Sequence, residues 1–343
     1  MKTNINVSLI KCRTSVKRIV GSAIIFALKF TIIYPKWWID KKGNSALTRG
    51  HFELYNIIQS RFLLNFGRFA DVKSPELYND KIQWLKLFDQ KPDRIICCDK
   101  LLVRSYVEKK CTNVNFAKVY QTAKSFAELD INSLPQKFVL KTNHDSGTVF
   151  IIRDKMKVDW AKLGKEVENS LAFNYGWLRG EWPYKFIDRK VFVEELLDPM
   201  SEKAPPDFKF HCVNGRVMWL QYLFDRGENQ KEKNFDRKFK EIPLNLDTDF
   251  SCSEVKLNKP KNWNELVLIA EKISKDIKYV RVDLYNIESQ VFFGEMTFYP
   301  KSGLYKGGDN DVFGGYLNFD KNKIENCFIR GHECFPKNES DLV

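Results

Sequence analysis

The sequence predicts an α+β protein, with helices filling its first third and antiparallel hairpins most of the remainder. Three observations predict this. Apolar side chains recur at helical spacing between residues 52 and 110. Residues 208–224 are two strand-like runs joined by Asn214-Gly215, a dipeptide suited to a tight hairpin turn. Residues 279–300, YVRVDLYNIESQVFFGEMTFYP, repeat the pattern across a polar turn. With 343 residues, 43% hydrophobic and 14% aromatic, there is core material for two or three domains.

The chain opens on a basic, apolar segment. Residues 1–39 carry seven Lys and Arg and no acid, so the net charge of +12 is largely an N-terminal matter. No other segment combines a dense basic run with interleaved aromatics except residues 231–240, which also carry Glu232 and Asp236. Nucleic acid is therefore not expected as a partner. The apolar run 19–28 is interrupted by Lys29 and closed by Pro35, Lys36, Trp37 and Trp38. It is too short and broken for a spanning helix, and its basic flanks and Trp pair suit a membrane interface. A buried helix and a signal peptide are the competing readings.

Residues 52–69, 75–88 and 100–110 follow as helices, the second opened by Pro75 and the third by Asp99 as cap. Strand signals begin at 137–141 (KFVLK); the loop 143–148 (NHDSGT) then leads into 149–153 (VFIIR). Such a hairpin can fold its loop over phosphates, with Lys141 and backbone N–H groups supplying positive potential, or stand as a solvated tip. Residues 160–171 are helical by period, and 190–197 (KVFVEELL) form a buried strand. The Asn-Gly hairpin sets Asp207, Lys209 and His211 on one face and Phe208, Phe210 and Cys212 on the other. A helix over 263–277 feeds the last hairpin, and 301–315 is a glycine-rich loop before a polar tail.

The last hairpin is unusual for its acids. Arg281, Asp283 and Tyr285 share one face of its first strand, and Glu295 and Thr297 share a face of its second. If paired residue numbers sum to an even value, Asp283 and Glu295 lie on one face at about 5 to 8 Å. Two carboxylates that close fit an oxygen-lined Mg²⁺ site, or are two solvated acids on an exposed sheet. Other metal chemistries are weaker in the sequence. Cys327, His332 and Cys334 lack the fourth ligand and paired spacing of structural zinc, and the eight cysteines show no disulfide framework, as expected of reduced, cytosolic thiols. Asp247 with Asp249, and Asp309 with Asp311, match the metal-chelating pair of a glycosyltransferase, but each sits in a turn-like context. His144 and His211 are candidate acid–base residues.

In order along the chain, PELYNDKIQWLKLFD, DKLLVRSYV, KFVLKTNHDSG, EWPYKF with VFVEELL, DFKFHCVNG, YVRVDLY and FGEMTFYPKSG resemble the ATP-grasp superfamily. Within it they resemble the TupA-like branch, associated with bacterial surface-polysaccharide (teichuronopeptide-type) biosynthesis. The resemblance implies two α+β subdomains with antiparallel sheets gripping ATP, at 136–205 and 206–320. A helical region (45–135) would precede them, after the basic, apolar segment 1–44, with a polar tail at 321–343.

It also implies roles for residues. Lys141 would reach the nucleotide phosphates, and His144, Ser146 and Gly147 would belong to a flexible loop closing over them, with Thr148 where many relatives carry glycine. Glu194, Glu195, Leu196 and Leu197 would form the adenine hinge and Asp207 would meet the ribose. Lys209 would be the second phosphate-binding base, Arg281 would stabilise the transferring phosphoryl group, and Asp283 and Glu295 would hold Mg²⁺. Thr297 stands in place of the Asn common at the third metal position. The implied chemistry is ATP-dependent joining of a carboxylate to an amine through an acyl phosphate, with a uronic-acid unit of a glycan precursor and an amino acid as the pair. The implied location is the cytoplasm, at the inner face of the membrane. A metal-dependent glycosyltransferase of polysaccharide synthesis and a binding module without catalysis are the rival classes.

Overall fold

The computed structural model describes residues 49–197, 205, 207–224, 231–246, 251–252 and 256–326. The expected membrane-interface segment, Asp247 with Asp249, and the Cys327–His332–Cys334 group lie outside these residues.

Four helices open the described chain: α1 (Arg49–Phe66), α2 (Tyr78–Phe88), α3 (Asp93–Cys98) and α4 (Val103–Lys110). Almost every residue of α2 is buried. It begins later than Pro75 because Leu77 is extended, and its Asp80 carboxylate in the first turn suits the positive end of the helix. Helix α4 starts one turn later than expected. Asp99 caps that turn instead, accepting from the backbone N–H of Leu101 at 2.8 Å and of Leu102 at 3.3 Å.

The small sheet is antiparallel throughout, in the order β2 (Val119–Ala123), β5 (Val191–Glu194), β3 (Phe138–Thr142), β4 (Val149–Ile152). Strand β2 comes from the stretch read as helical, where VYQTA is too short to show a pattern. Helix α5 (Trp160–Ala172) presents Leu163, Val167 and Leu171 at helical spacing to Phe138, Leu140, Ile152, Val191 and Val193, and Asp159 caps it through Lys162 N–H at 3.0 Å.

The large sheet runs β10 (Ser251–Cys252), β8 (Lys231–Asp236), β7 (Arg216–Phe224), β6 (Asp207–Val213), β11 (Tyr279–Ile287), β12 (Gln290–Thr297), with β9 (Glu241–Ile242) on β8. Asn214 and Gly215 close β6 onto β7 with φ of 49° and 75°, the geometry an Asn-Gly turn supplies. Helix α7 (Trp263–Ile273) lies beneath this sheet. Its Trp263, Leu266, Val267, Ala270 and Ile273 share one core with Phe210, Val280 and Val282, and with Leu54, Ile82 and Val107 from the opening helices. The helical region and the large sheet thus bury a common core, while the small sheet and α5 bury their own.

A short helix α6 (Tyr175–Arg179) ends at Gly180, which has φ of 66°. Cations from elsewhere satisfy its terminal carbonyls: Arg61 Nη1 donates to Leu178 O at 3.1 Å and Lys86 Nζ to Arg179 O at 3.3 Å. The expected glycine-rich loop contains a helix, α8 (Asn310–Tyr316), and two further short strands, β1 (Asp89–Gln90) and β13 (Glu325–Asn326), pair in parallel. Among the described residues no helix is long and apolar enough to cross a membrane.

Candidate active site

The two sheets face a cleft of about 290 Å³. Its large-sheet wall is set by one register. Glu288 and Ser289 take φ of 50° and 65°, making a two-residue turn that pairs Ile287 with Gln290 and Leu284 with Phe293. Continued unbroken, that register would put Gly294 opposite Asp283 and turn Glu295 toward Val282 and the core. A bulge prevents this. Gly294 is the extra residue, and beyond it Asp283 pairs with Glu295 and Arg281 with Thr297. A Cβ on Gly294 would meet the Asp283 carbonyl oxygen at 3.0 Å and Tyr285 Cε2 at 3.2 Å, which is why glycine stands here. The result is a polar row across five strands: Glu295, Asp283, Lys209, Gln221, Asn234.

Within that row charges are tightly paired. Arg281 donates through Nε to Asp283 Oδ1 at 2.7 Å and through Nη2 to Asp283 Oδ2 at 2.7 Å, to Glu295 Oε1 at 3.1 Å and to Thr297 Oγ1 at 3.1 Å. Thr297 Oγ1 in turn donates to Glu295 Oε1 at 3.1 Å. Lys209 Nζ bridges Asp283 and Asp207, lying 2.5 Å from Asp207 Oδ2. Burial works against the Arg281 charge, but the Asp283 carboxylate outweighs it and holds the guanidinium well above its ordinary range.

The small-sheet wall is organised around Glu194. One of its carboxylate oxygens accepts from Lys141 Nζ and the other from Arg104 Nη2 at 2.7 Å. Arg104 reaches in from α4 and is fixed by Ala117 O at 2.6 Å. Lys100 donates to Thr142 O at 2.7 Å and lies 3.5 Å from Asp145 Oδ1.

The loop between β3 and β4 is tethered rather than free along its length. Asn143 donates to Asp99 Oδ2 and Asp188 O, each at 2.9 Å, and Asp145 accepts from Thr142 Oγ1 at 2.6 Å, Ser170 Oγ at 2.8 Å and the Thr148 hydroxyl. Only its tip, Ser146 and Gly147, lines the cleft, with Gly147 at φ of 110°.

Of the residues expected at the site, Lys141, Ser146, Gly147, Glu194, Glu195, Leu196, Leu197, Asp207, Lys209, Asp283 and Glu295 all line this one cleft. Arg281 and Thr297 reach it through their bonds to Asp283 and Glu295. His144 does not: it is buried, with Nε2 3.2 Å from Ser170 O, and burial lowers its pKa. His211 is also removed from acid–base duty. It stacks on Trp219 at 4.1 Å, with Nδ1 2.9 Å from Tyr279 Oη, and burial together with Arg281 pushes its pKa well below the usual value. Asp309 accepts from Asn245 N–H at 2.9 Å and precedes α8, whose first turn holds Asp311; neither lines the cleft. Described Cys97, Cys98, Cys111 and Cys212 are buried free thiols.

Tyr285, expected on the Asp283 face, lines the cleft, and so do Lys100, Arg104, Arg153 and Phe293, which were not singled out in the sequence. Lys100 and Arg104 carried a readable signal, two cations at i and i+4 behind a capping aspartate. As for a metal, no group of three or more His, Cys, Asp or Glu is set to hold one among the described residues. The pair Asp283 and Glu295, with the Thr297 hydroxyl, is an all-oxygen donor set of the kind a hard divalent ion takes.

The sequence profile of the TupA-like ATPgrasp family matches residues 80–313, about two thirds of the chain. Among curated proteins the chain is similar to a reverse gyrase of Methanocaldococcus jannaschii, 25% identical over 201 residues, covering 53% of this chain and 11% of that one. Among solved structures it is similar to the D-alanine–D-alanine ligase from Bacillus anthracis complexed with ATP (13% identity, 59% of this chain and 54% of that one, TM-score 0.34). It is also similar to the L-amino acid ligase from Bacillus licheniformis (12% identity, 74% and 55%, TM-score 0.40). A third is the ATP-grasp ligase PsnB complexed with minimal precursor, Mg and ADP (10% identity, 70% and 65%, TM-score 0.35). The chain thus spans about a tenth of the reverse gyrase and between about half and two thirds of these ligases. By the profile match over residues 80–313, the chain belongs to the TupA-like ATP-grasp family.

Proposed function

We propose that this protein uses Mg·ATP to activate a carboxylate as an acyl phosphate and then joins it to an amine. The observation that carries the reading is the cleft onto which two sheets turn Lys141 and Glu194 from one side and Lys209, Asp283 and Glu295 from the other. In this reading the backbone of Glu194, Glu195, Leu196 and Leu197 receives the adenine edge, and Asp207 lies toward the ribose. Lys141 and the Ser146–Gly147 tip hold the phosphates. Asp283 and Glu295, with Thr297 beside them, would hold Mg²⁺, which supplies neutralisation of phosphate charge as the γ group is transferred. Lys209 and Arg281 supply fixed positive charge at the same place, pre-oriented by their carboxylate partners so that little reorganisation accompanies transfer. The substrate pair suggested by the family's character is a uronic-acid unit of a surface-glycan precursor and an amino acid. The basic, apolar N-terminal segment fits work at the inner face of the membrane, where lipid-linked precursors reside.

The test is ADP release over a panel of uronic acids and amino acids, compared between wild type and Glu295→Gln. Release that needs both an acid and an amine and falls by at least about 100-fold in the variant is expected. Equal release in the variant would remove Glu295 from the site. A response only to nucleotide sugars would favour the glycosyltransferase reading.

A further inference from the structure

Every carboxylate oxygen of Asp283 already meets a cation. Oδ1 accepts from Arg281 Nε, and Oδ2 accepts from both Arg281 Nη2 and Lys209 Nζ. Glu295 has one oxygen taken, Oε1, shared between Arg281 and Thr297. A divalent ion that binds both carboxylates therefore competes with Lys209 for Asp283 Oδ2, and the two positive groups repel at that distance. Lys209 and Asp283 are both buried, so pulling them apart costs each an ion partner and leaves Lys209 with Asp207 and Asp283 with Arg281 unless a new partner arrives.

We infer that Lys209 is an internal counter-ion which the divalent metal must displace, so that metal and nucleotide enter by exchanging ion partners; the inference rests on the nucleotide-binding reading above. The metal takes over the carboxylates, and the phosphates take over Lys209 and Arg281. Either exchange alone leaves a buried charge one partner short, whereas together they leave every charge paired. Asp207, 2.5 Å from the Lys209 ammonium, keeps that side chain in place while it releases Asp283. The coupling is reciprocal: metal raises nucleotide affinity by the same factor as nucleotide raises metal affinity.

The inference makes an unusual demand, that removing a positive charge weakens nucleotide binding but strengthens binding of the metal alone. Free Mn²⁺ would be titrated by electron paramagnetic resonance against the full chain as wild type, Lys209→Met, Lys209→Arg and Asp207→Asn/Lys209→Met. The double variant keeps the local charge balanced should Lys209→Met alone unfold, which circular dichroism reports. Both Met variants should bind Mn²⁺ at least about tenfold more tightly than wild type, some 1.4 kcal/mol, and Lys209→Arg about as wild type does. With ADP added, the Met variants should lose nucleotide affinity. Unchanged or weaker Mn²⁺ binding in a folded Met variant would overturn the inference. Failure of wild type to bind ADP with Mn²⁺ would instead overturn the nucleotide reading, and the metal-only comparison would still decide the role of Lys209.

Discussion

Gly294→Ala perturbs the one residue that brings Glu295 to Asp283. The bulge leaves Gly294 outside the ladder, and its added Cβ would lie 3.0 Å from the Asp283 carbonyl oxygen and 3.2 Å from Tyr285 Cε2. Ordinary carbon contacts are about 3.5–4.0 Å, so the carbonyl and the ring must each give by a few tenths of an ångström. The carbonyl belongs to Asp283, whose strand is paired on both sides, so relief there moves the carboxylate as well. Crowding of this kind costs about 1 to 3 kcal/mol, a fall in melting temperature of roughly 2 to 12 °C. One misaimed carboxylate oxygen should lower Mg·ADP affinity by about tenfold. Calorimetric melting and isothermal titration with Mg·ADP read both effects. A variant with unaltered melting and unaltered Mg·ADP affinity would refute the reasoning that this close approach sets the Asp283–Glu295 pair.

Thr148→Val removes the hydroxyl that ties the β3–β4 loop to Asp145 and to Ser170, the latter at 3.0 Å. It should cost about 1 kcal/mol and speed amide exchange at residues 144–147, and unchanged exchange by mass spectrometry would mean the tether lies elsewhere. Lys86 is buried, donates to Ser302 O at 2.9 Å, and has its pKa lowered by burial from 10.5 to about 7. Between those values the unfolded chain holds a proton that the folded chain does not, so stability should rise with pH from about 7 toward 10.5 and lose this dependence below 7. The slope is at most about 1.4 kcal/mol per pH unit, and Lys86→Met should abolish it; equal slopes in urea unfolding at pH 7, 8 and 9 would contradict the assignment.

The hairpins were legible because their chemistry is local. Asn214-Gly215 carries its own turn, and the alternation of Asp207 and Lys209 with Phe208 and Phe210 states which face is polar. The even register that joins Asp283 to Glu295 could be posed only as a condition. Its realisation depends on two things that composition does not display: Glu288 and Ser289 accept positive φ where Asn or Gly would be usual, and Gly294 steps out of the ladder. A lone glycine inside a strand is nevertheless a signal for a bulge. The partners of the site charges were harder to read. Glu194 and Lys141 are 53 residues apart and Arg104 is 90 from Glu194, so their network arises only when the fold brings the Arg104 side chain of α4 to Glu194 of β5. His144 and His211 show the converse, since residue type suggested chemistry and burial withdrew it. Helix α8 was hidden in a glycine-rich stretch because Gly314 is needed for close packing, its Cβ position lying 2.2 Å from Glu76 O.

The central claim, that this cleft binds Mg·ATP through charges from both sheets, is tested most directly by thermal unfolding of the full chain titrated with Mg·ATP, repeated on Lys141→Ala. At about 100 times its dissociation constant a ligand adds about 2.7 kcal/mol to native stability. A saturable upward shift is expected in wild type and should be lost in Lys141→Ala. No shift in wild type, or an equal shift in both proteins, would contradict the claim.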